Sequence, residues 1–475
     1  MEQLKKIGQI KPKKSVDIKK SRIGLGFEKL DRDIFDPEKS YPFVADSGIK
    51  WARLQSGWQR TEREKGVYDF SWLDSIVDKM ISIGVEPWLC LCYGNDLYTP
   101  AAKTVFGAVG CPPINTAEER EAWTSYVKAT VTHFKGRIHY YEVWNEPDGQ
   151  WCWKHGPSAD ELADFTVATA KACKTADPEC EVIGFVTCCA QPEFHKIMCE
   201  KGVCEHIDAI SYHAYGGSDG SFKNIYKFYE NIRQKYKPEL KIIQGESGTQ
   251  SRSDGCGALN GGAWTELKQA KFLLRHLITD LALGAEFTSY FSCMDMAEAL
   301  SGTVGDIASI SDFGYFGVVG AEFDGNARAT GNYYAKPSYY ALQNLTSILC
   351  EDYEKADIEV EVIKEHSQRM LGENFDFGAA TRYFFRRPDG STALFYWNPK
   401  NILTETYDGE TSFKIKSEDV KRDVELIDML DGSIYELDEN HFMMEDGYYR
   451  FKNVPITDSP ILIIFGGFNI DKEAE

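Results

Sequence analysis

The stretch Ile138-His139-Tyr140-Tyr141-Glu142-Val143-Trp144-Asn145-Glu146-Pro147 opens in aromatic and β-branched residues and closes in Asn-Glu-Pro. Its first part, residues 138–144, predicts a β-strand. Helical patterns flank it. Upstream, residues 117–134 follow Thr116 and Glu119, and downstream Ser158 and Glu161 open another capped helix. The same alternation extends outward. Further strands are predicted at 22–27, 50–55, 85–93, 181–187, 207–212, 240–244 and 285–291. Between them lies a helix at 71–84, with Leu73, Ile76, Val77, Met80 and Ile81 on one face. Ser71 with Asp74 has the form of a capping box, and Gly84 is its stop. Other helices are predicted at 221–236, 264–283 and 337–349. Eight strands alternating with helices predict a closed (β/α)8 barrel over 22–350. An open doubly wound sheet is the alternative, weakened because no GxGxxG follows the first strand.

After residue 351 the texture changes. Residues 392–397, 424–429, 448–451 and 461–465 are short and strand-like, separated by turns such as Pro388-Asp389-Gly390 and Asp431-Gly432. They predict an antiparallel β-sandwich over 351–475, and part of the lead-in 1–21 is a candidate extra strand for it.

A chain of 475 residues has room for both units. Its net charge of −20 opposes nucleic acid and anionic membranes as partners, and suits a neutral substrate. No apolar run reaches the ~18 residues of a membrane span. The Lys-rich N-terminus lacks an apolar signal core, so a cytoplasmic location is expected, and the basic run from Lys11 to Lys20 reads as solvated. Thirteen cysteines form no CxxC pair. Cys90 and Cys92 alternate along a strand and Cys188 and Cys189 are adjacent, none at zinc-ligand spacing, so buried free thiols are expected.

Catalytic residues of a barrel sit at the C-terminal ends of its strands. Strand four ends in Asn145-Glu146 and strand seven in Gly245-Glu246-Ser247-Gly248, so two glutamates face one mouth. Two carboxyls about 5–5.5 Å apart are what cleavage of a glycosidic bond with retention requires. Glu142, at even spacing from Glu146, is expected in a buried ion pair lower down.

Trp144-Asn145-Glu146-Pro147 resembles the strand-four motif of clan A glycoside hydrolases. Residues 64–74, His213-Ala214-Tyr215 and Lys336-Pro337-Ser338-Tyr339-Tyr340-Ala341-Leu342 also resemble segments of that clan. Within it the chain is most similar to family 39, the β-xylosidases and α-L-iduronidases. The resemblance implies Glu146 as acid/base and Glu246 as nucleophile. Arg53 and Tyr215 would keep Glu246 ionised, and Asn145 would bind the sugar 2-hydroxyl. His213 would orient the acid/base or contact sugar; a satisfied core histidine is the plain alternative. The acid's pKa is expected to be raised by neighbouring negative charge and a dry wall.

Further substrate-binding candidates are the aromatic platforms Trp58, Trp151 and Trp153, together with Glu28, Tyr290, Asp295 and Asn95. Strand eight ends without the Trp common in the clan, so Tyr290 or Phe291 is expected to build the floor of the sugar site. The Gly-rich stretch 247–262 is read as a mobile lid. The expected activity is that of a retaining exo-glycosidase, β-xylosidase-like, with a carbohydrate substrate and no metal or organic cofactor. The resemblance leans toward a homo-oligomer. Other clan A glycosidases (a β-glucosidase, an iduronidase or an arabinoside-cleaving enzyme) and a silent carbohydrate-binding protein stay open. A metal-dependent hydrolase is disfavoured by nine His without an HxH or HExxH.

Overall fold

A computed structural model of the chain describes residues 1, 4–215, 218–370, 373–376, 379–400, 402, 409–468 and 470–473. Eight strands close into a parallel barrel. In order they are Ile23–Gly26, Trp51–Gln55, Glu86–Leu91, Tyr140–Val143, Glu181–Thr187, Ala209–His213, Lys241–Ser247 and Thr288–Tyr290. The seam joins the last to the first, with Leu25 opposite Tyr290.

The helices follow from local signals. Thr116 accepts a hydrogen bond from the Glu119 backbone N–H at 3.1 Å and starts helix Ala117–Phe134. Ser158 does the same for Ala159–Ala176, accepting from the Glu161 N–H at 3.4 Å. The capping box expected at Ser71 does not form. Ser71 is already the first helical residue, and Asp69 Oδ1 accepts its backbone N–H at 2.9 Å. Helices Pro37–Asp46 and Pro192–Glu200 complete the ring where sequence periodicity was too brief to read.

The barrel is sealed at its N-terminal end and polar at the other. Trp88, Tyr140, Ile183, Ala209, Ile243 and Phe287 form an apolar plug. Trp51 stacks on Phe287 beneath it at 4.6 Å. Charge is thereby displaced toward the strand C-termini, where the loops gather.

The C-terminal region is an antiparallel sandwich of an eight-stranded and a five-stranded sheet. Strand Lys5–Ile10 pairs with Ser433–Glu436 in the larger sheet. Several sandwich strands carry charged residues that obscure their alternation in sequence, among them Thr381–Arg386 and Gly409–Lys416. The larger sheet sorts its side chains by parity. Leu394, Tyr396, Ile461 and Ile463 enter the sandwich core. Ala393, Phe395, Trp397, Leu462 and Ile464 pack with the barrel.

Helix Glu266–Leu283 lies between the two units and is buried from Gln269 to Ala282. Its charged residues are matched on both sides, one in the sandwich and one in the barrel. Lys271 Nζ meets Asp458 at 2.8 and 3.0 Å, and Arg275 meets Asp219 Oδ1 at 2.6 Å. Trp397 Nε1 donates to Asp219 Oδ2 at 2.7 Å. Losing one partner of a buried pair leaves the remaining charge less well compensated. Asp458→Ala is therefore expected to lower stability, read from its denaturant unfolding curve against wild type.

Candidate active site

The strand ends converge on one guanidinium. Arg53, in strand two, is fully buried. Its Nε donates to Glu142 Oε2 at 2.6 Å, Nη1 to Glu246 Oε2 at 2.8 Å and to Glu28 Oε1 at 3.3 Å, and Nη2 to Asn145 Oδ1 at 2.8 Å. Glu142 is thus in the low ion pair its spacing implied. Strands one, two, four and seven are tied together by this residue.

Glu246 is held from two sides. Tyr215 donates its phenol to Glu246 Oε1 at 2.5 Å, while Arg53 holds the other oxygen. A bulge sets this alignment: Tyr212 lies opposite Gln244, but His213 lies opposite Glu246, leaving Gly245 as the extra residue. A Cβ on Gly245 would stand 2.3 Å from Ser211 Oγ and 3.1 Å from Glu142 Oε1, so only glycine fits beneath the carboxylate.

Glu146 leaves strand four on strained backbone, with φ of +66° at Trp144 and +43° at Glu146. His213 Nδ1 lies 2.9 Å from Glu146 Oε1. Trp151 Nε1 donates to Oε2 at 2.6 Å. Trp151 is placed there by its loop. Trp144 Nε1 anchors the Cys152 carbonyl at 2.7 Å, and a side chain at Gly149 would collide with the Trp151 ring at 2.4 Å. Ligand atoms of Glu146, His213 and Glu246 all lie within 4.8 Å of one another, which brings the two carboxylates together across the mouth.

The electrostatics correct one expectation. Burial pushes the Glu146 carboxyl up, but the hydrogen bonds and charge of His213, with the Trp151 and Arg53 contributions, outweigh it and leave the group below its ordinary range. His213 moves the opposite way. Burial opposes its charge, yet Glu246 and the hydrogen bond to Glu146 raise it. Both directions favour the proton on the imidazole over the carboxyl. Tyr215 is pushed up by burial and by Glu246, and stays a phenol. Burial lifts Glu28 from 4.5 to about 7, against the pull of Arg53 and with help from Glu246.

A cavity of about 570 Å³ opens above these groups. Glu28, Asn145, Glu146, Trp151, Tyr215 and Glu246 line it, and Phe291 and Phe316 supply apolar wall. Of the two candidates for the floor, Phe291 therefore takes the place and Tyr290 does not. His213 sits behind the wall, its Nε2 buried without a hydrogen-bond partner.

Five expected sugar contacts do not reach the cavity. Trp58 is fully buried between Tyr98 and Tyr126, its indole N–H on Glu62 Oε2 at 2.6 Å. Trp153 is fully buried against Trp144 and Phe165. Asn95 shapes its own turn, donating to the Glu62 carbonyl at 2.8 Å. Tyr290 is buried against the Thr249 backbone N–H at 3.2 Å. Asp295 is occupied by Lys336 at 2.7 Å. In each case an internal partner satisfies the group that was to meet sugar, or packing covers the ring.

Other lining residues carried no sequence motif. Lys29 adopts a left-handed backbone (φ +68°) and pairs with Glu298 at 3.4 Å on the cavity wall. Glu298 comes from the irregular segment after strand eight. Gly257, Ala258 and Leu259, within the stretch read as a lid, also line the cavity. The only advance signal for Lys29 was its neighbour Glu28 at a strand end.

The closed barrel and the paired carboxyls at its mouth are the arrangement expected from the sequence. Residues 50–245 match a family model described as Glycosyl hydrolases family 39. The chain is 27% identical to a β-xylosidase of Geobacillus stearothermophilus over 191 residues, covering 38% of this chain and 37% of that protein. It is 29% identical to a β-xylosidase of Caldicellulosiruptor saccharolyticus over 210 residues, 41% of this chain and 42% of the other. These alignments span less than half of the relatives' own length. The fold is shared with a family 39 glycoside hydrolase from the gut symbiont Bacteroides cellulosilyticus WH2, at TM-score 0.66 and 15% identity over 94% of this chain and 81% of that one. A monomeric β-xylosidase of Caulobacter crescentus CB15 superposes at TM-score 0.57 with 16% identity, covering 96% and 97%.

The raised Glu28 has a pH consequence. A carboxyl whose folded pKa exceeds its unfolded one contributes stability below the unfolded value, and that contribution is lost as pH rises through the folded value. Glu28 therefore withdraws stability between pH 4.5 and about 7. Glu28→Gln is expected to flatten this part of the wild-type stability profile, measured as Tm from pH 4 to 8; an unchanged slope would remove Glu28 as its source.

Proposed function

We propose that the chain is a retaining glycoside hydrolase, β-xylosidase-like and exo-acting on oligosaccharides or small glycosides. One observation carries this reading: the carboxylate oxygens of Glu146 and Glu246 approach within 4.8 Å, the close pairing of double displacement rather than the wider gap that admits a water for inversion. The β-xylosidases to which the chain is similar support the choice of sugar. The cavity gathered around the pair supports exo action.

In this reading Glu246 attacks the anomeric carbon while Glu146 protonates the departing oxygen. The carbon–oxygen bond breaks and a glycosyl ester on Glu246 remains. Water, deprotonated by Glu146, then cleaves the ester with overall retention. Arg53 and Tyr215 hold the two carboxyl oxygens of Glu246 and aim them. Asn145, fixed by Arg53, meets the 2-hydroxyl.

The acid's proton is stored nearby. A sugar filling the cavity expels water and makes the His213–Glu146 ion pair costly, which moves the proton from Nδ1 onto the carboxylate. Glu146 is then the neutral acid that the first step requires. No metal or organic cofactor enters this scheme.

A panel of para-nitrophenyl glycosides tests the reading: β-xyloside, β-glucoside, β-galactoside, β-glucuronide, α-iduronide and α-arabinofuranoside. Wild type is expected to release nitrophenol from the β-xyloside, and Glu246→Ala to fall by about 10⁴-fold or more. Azide is expected to restore turnover of Glu246→Ala as a glycosyl azide of inverted configuration; full activity without azide removes Glu246 as nucleophile.

The acid role has a separate signature. Glu146→Ala is expected to lose far more activity on glycosides with poor leaving groups than on activated aryl glycosides, because only the former need the proton. Equal losses on both, compared by kcat/KM, would contradict the assignment.

A further inference from the structure

Beyond the sugar reaction, the cavity wall carries a second cluster of chemically active side chains. Cys188 and Cys189 follow directly on strand five, and both line the cavity. Asp148, two residues past Glu146, accepts the backbone N–H groups of Cys188 and Cys189 at 3.0 Å each. That carboxylate therefore fixes the turn that presents the thiols. Sγ of Cys188 lies 3.7 Å from Sγ of Cys189 and 3.5 Å from Asp148 Oδ2, and all three ligand atoms fall within 4.8 Å of one another.

These spacings match a metal's coordination sphere. A tetrahedral Zn²⁺ with Zn–S of about 2.3 Å and Zn–O of about 2.0–2.2 Å has S···S edges of about 3.8 Å and S···O edges of about 3.5 Å. The two edges at Cys188, 3.7 and 3.5 Å, lie close to these values, and the Gln191 amide that Asp148 Oδ2 also accepts at 3.4 Å would yield to a bound ion. Spacing in sequence conceals the site, because the cysteines are adjacent and the carboxylate comes from the end of a different strand. Both cysteines line the cavity, from which water supplies a fourth ligand.

The charge distribution favours a cation here. Burial, and then the carboxylates of Glu146 and Asp148, push the Cys188 thiol far above its ordinary range. The same negative charges that hold the proton on sulfur attract a divalent ion. On binding, each thiol releases its proton to solvent as a sulfur–metal bond forms, and the weak Cys188 S–H···Oδ2 contact is replaced by coordination.

We propose that Asp148, Cys188 and Cys189 form a binding site for a thiophilic divalent cation of the Zn²⁺ type at the rim of the cavity, and that its occupation inhibits the enzyme. Glu146 and both cysteines line the same cavity, so a cation held there obstructs the approach of substrate to the acid.

The test uses the full chain with Co²⁺ as the probe. Wild type is expected to develop a thiolate-to-cobalt charge-transfer band that Zn²⁺ abolishes. Cys189 is exposed, so Cys189→Ser leaves the packing intact, and the variant is expected to weaken Co²⁺ binding by about ten-fold or more. Cys199→Ser removes a thiol from the other close pair, Cys199 and Cys204 at 3.7 Å, and is expected to bind Co²⁺ as wild type does. No band in wild type, or an undiminished one in Cys189→Ser, overturns the site. This readout does not depend on hydrolysis, so it stands or falls separately from the glycosidase reading. Where turnover is measured, the Zn²⁺ concentration for half-inhibition is expected to rise in Cys189→Ser by the same factor; equal sensitivity in both proteins overturns the inhibitory role.

Discussion

A single buried cation organises this molecule's reactive end. Arg53 donates to three carboxylates and one amide drawn from three other strand ends. Placing Glu28, Glu142 and Glu246 so close in a dry barrel is unfavourable unless positive charge compensates them. One guanidinium serves three carboxyl groups, and the crowding shows in the shifts: burial lifts Glu28 to about 7, and the neighbouring carboxylates raise His213. The arrangement resembles a small ionic lattice whose geometry is set by the planar fork of arginine. A lysine, as a point charge, would not direct four partners in four directions.

Everything below that lattice is built to hold it still. The apolar plug at the barrel floor excludes water from the strand N-termini. Above it, backbone irregularities aim the side chains: the bulge at Gly245 brings Glu246 level with His213, and left-handed residues at Trp144 and Glu146 turn the acid toward the mouth. Strain of this kind persists only where the surroundings over-determine it. Here they do, through the Trp144–Cys152 tie, the Trp151 indole and the His213 ring.

The β-sandwich acts at a distance. Its larger sheet presses one face on the barrel, and helix Glu266–Leu283 is buried between them with Lys271 matched in the sandwich and Arg275 in the barrel. That helix follows the loop whose Gly257, Ala258 and Leu259 line the cavity. The scaffold and the cavity wall are thus distinct layers: strands position the chemistry, while loops shape what fits above it.

Much of this was legible along the chain. Hydrophobic periodicity located the eight barrel strands, because a buried parallel sheet alternating with amphipathic helices leaves a repeating pattern. Asn145-Glu146 and Glu246 stood out because strand C-termini are where a barrel exposes side chains. Tertiary structure decided what one-dimensional order cannot encode. Trp58 and Trp153 were indistinguishable in sequence from Trp151, yet only Trp151 meets the cavity, since burial depends on which loops fold over a ring. The proton's place between Glu146 and His213 likewise follows from an approach of 2.9 Å between residues far apart in the chain. Sequence determined the strands and which carboxylates they carry; only the folded barrel decided their partners, because charge and contact act through space and not along the backbone.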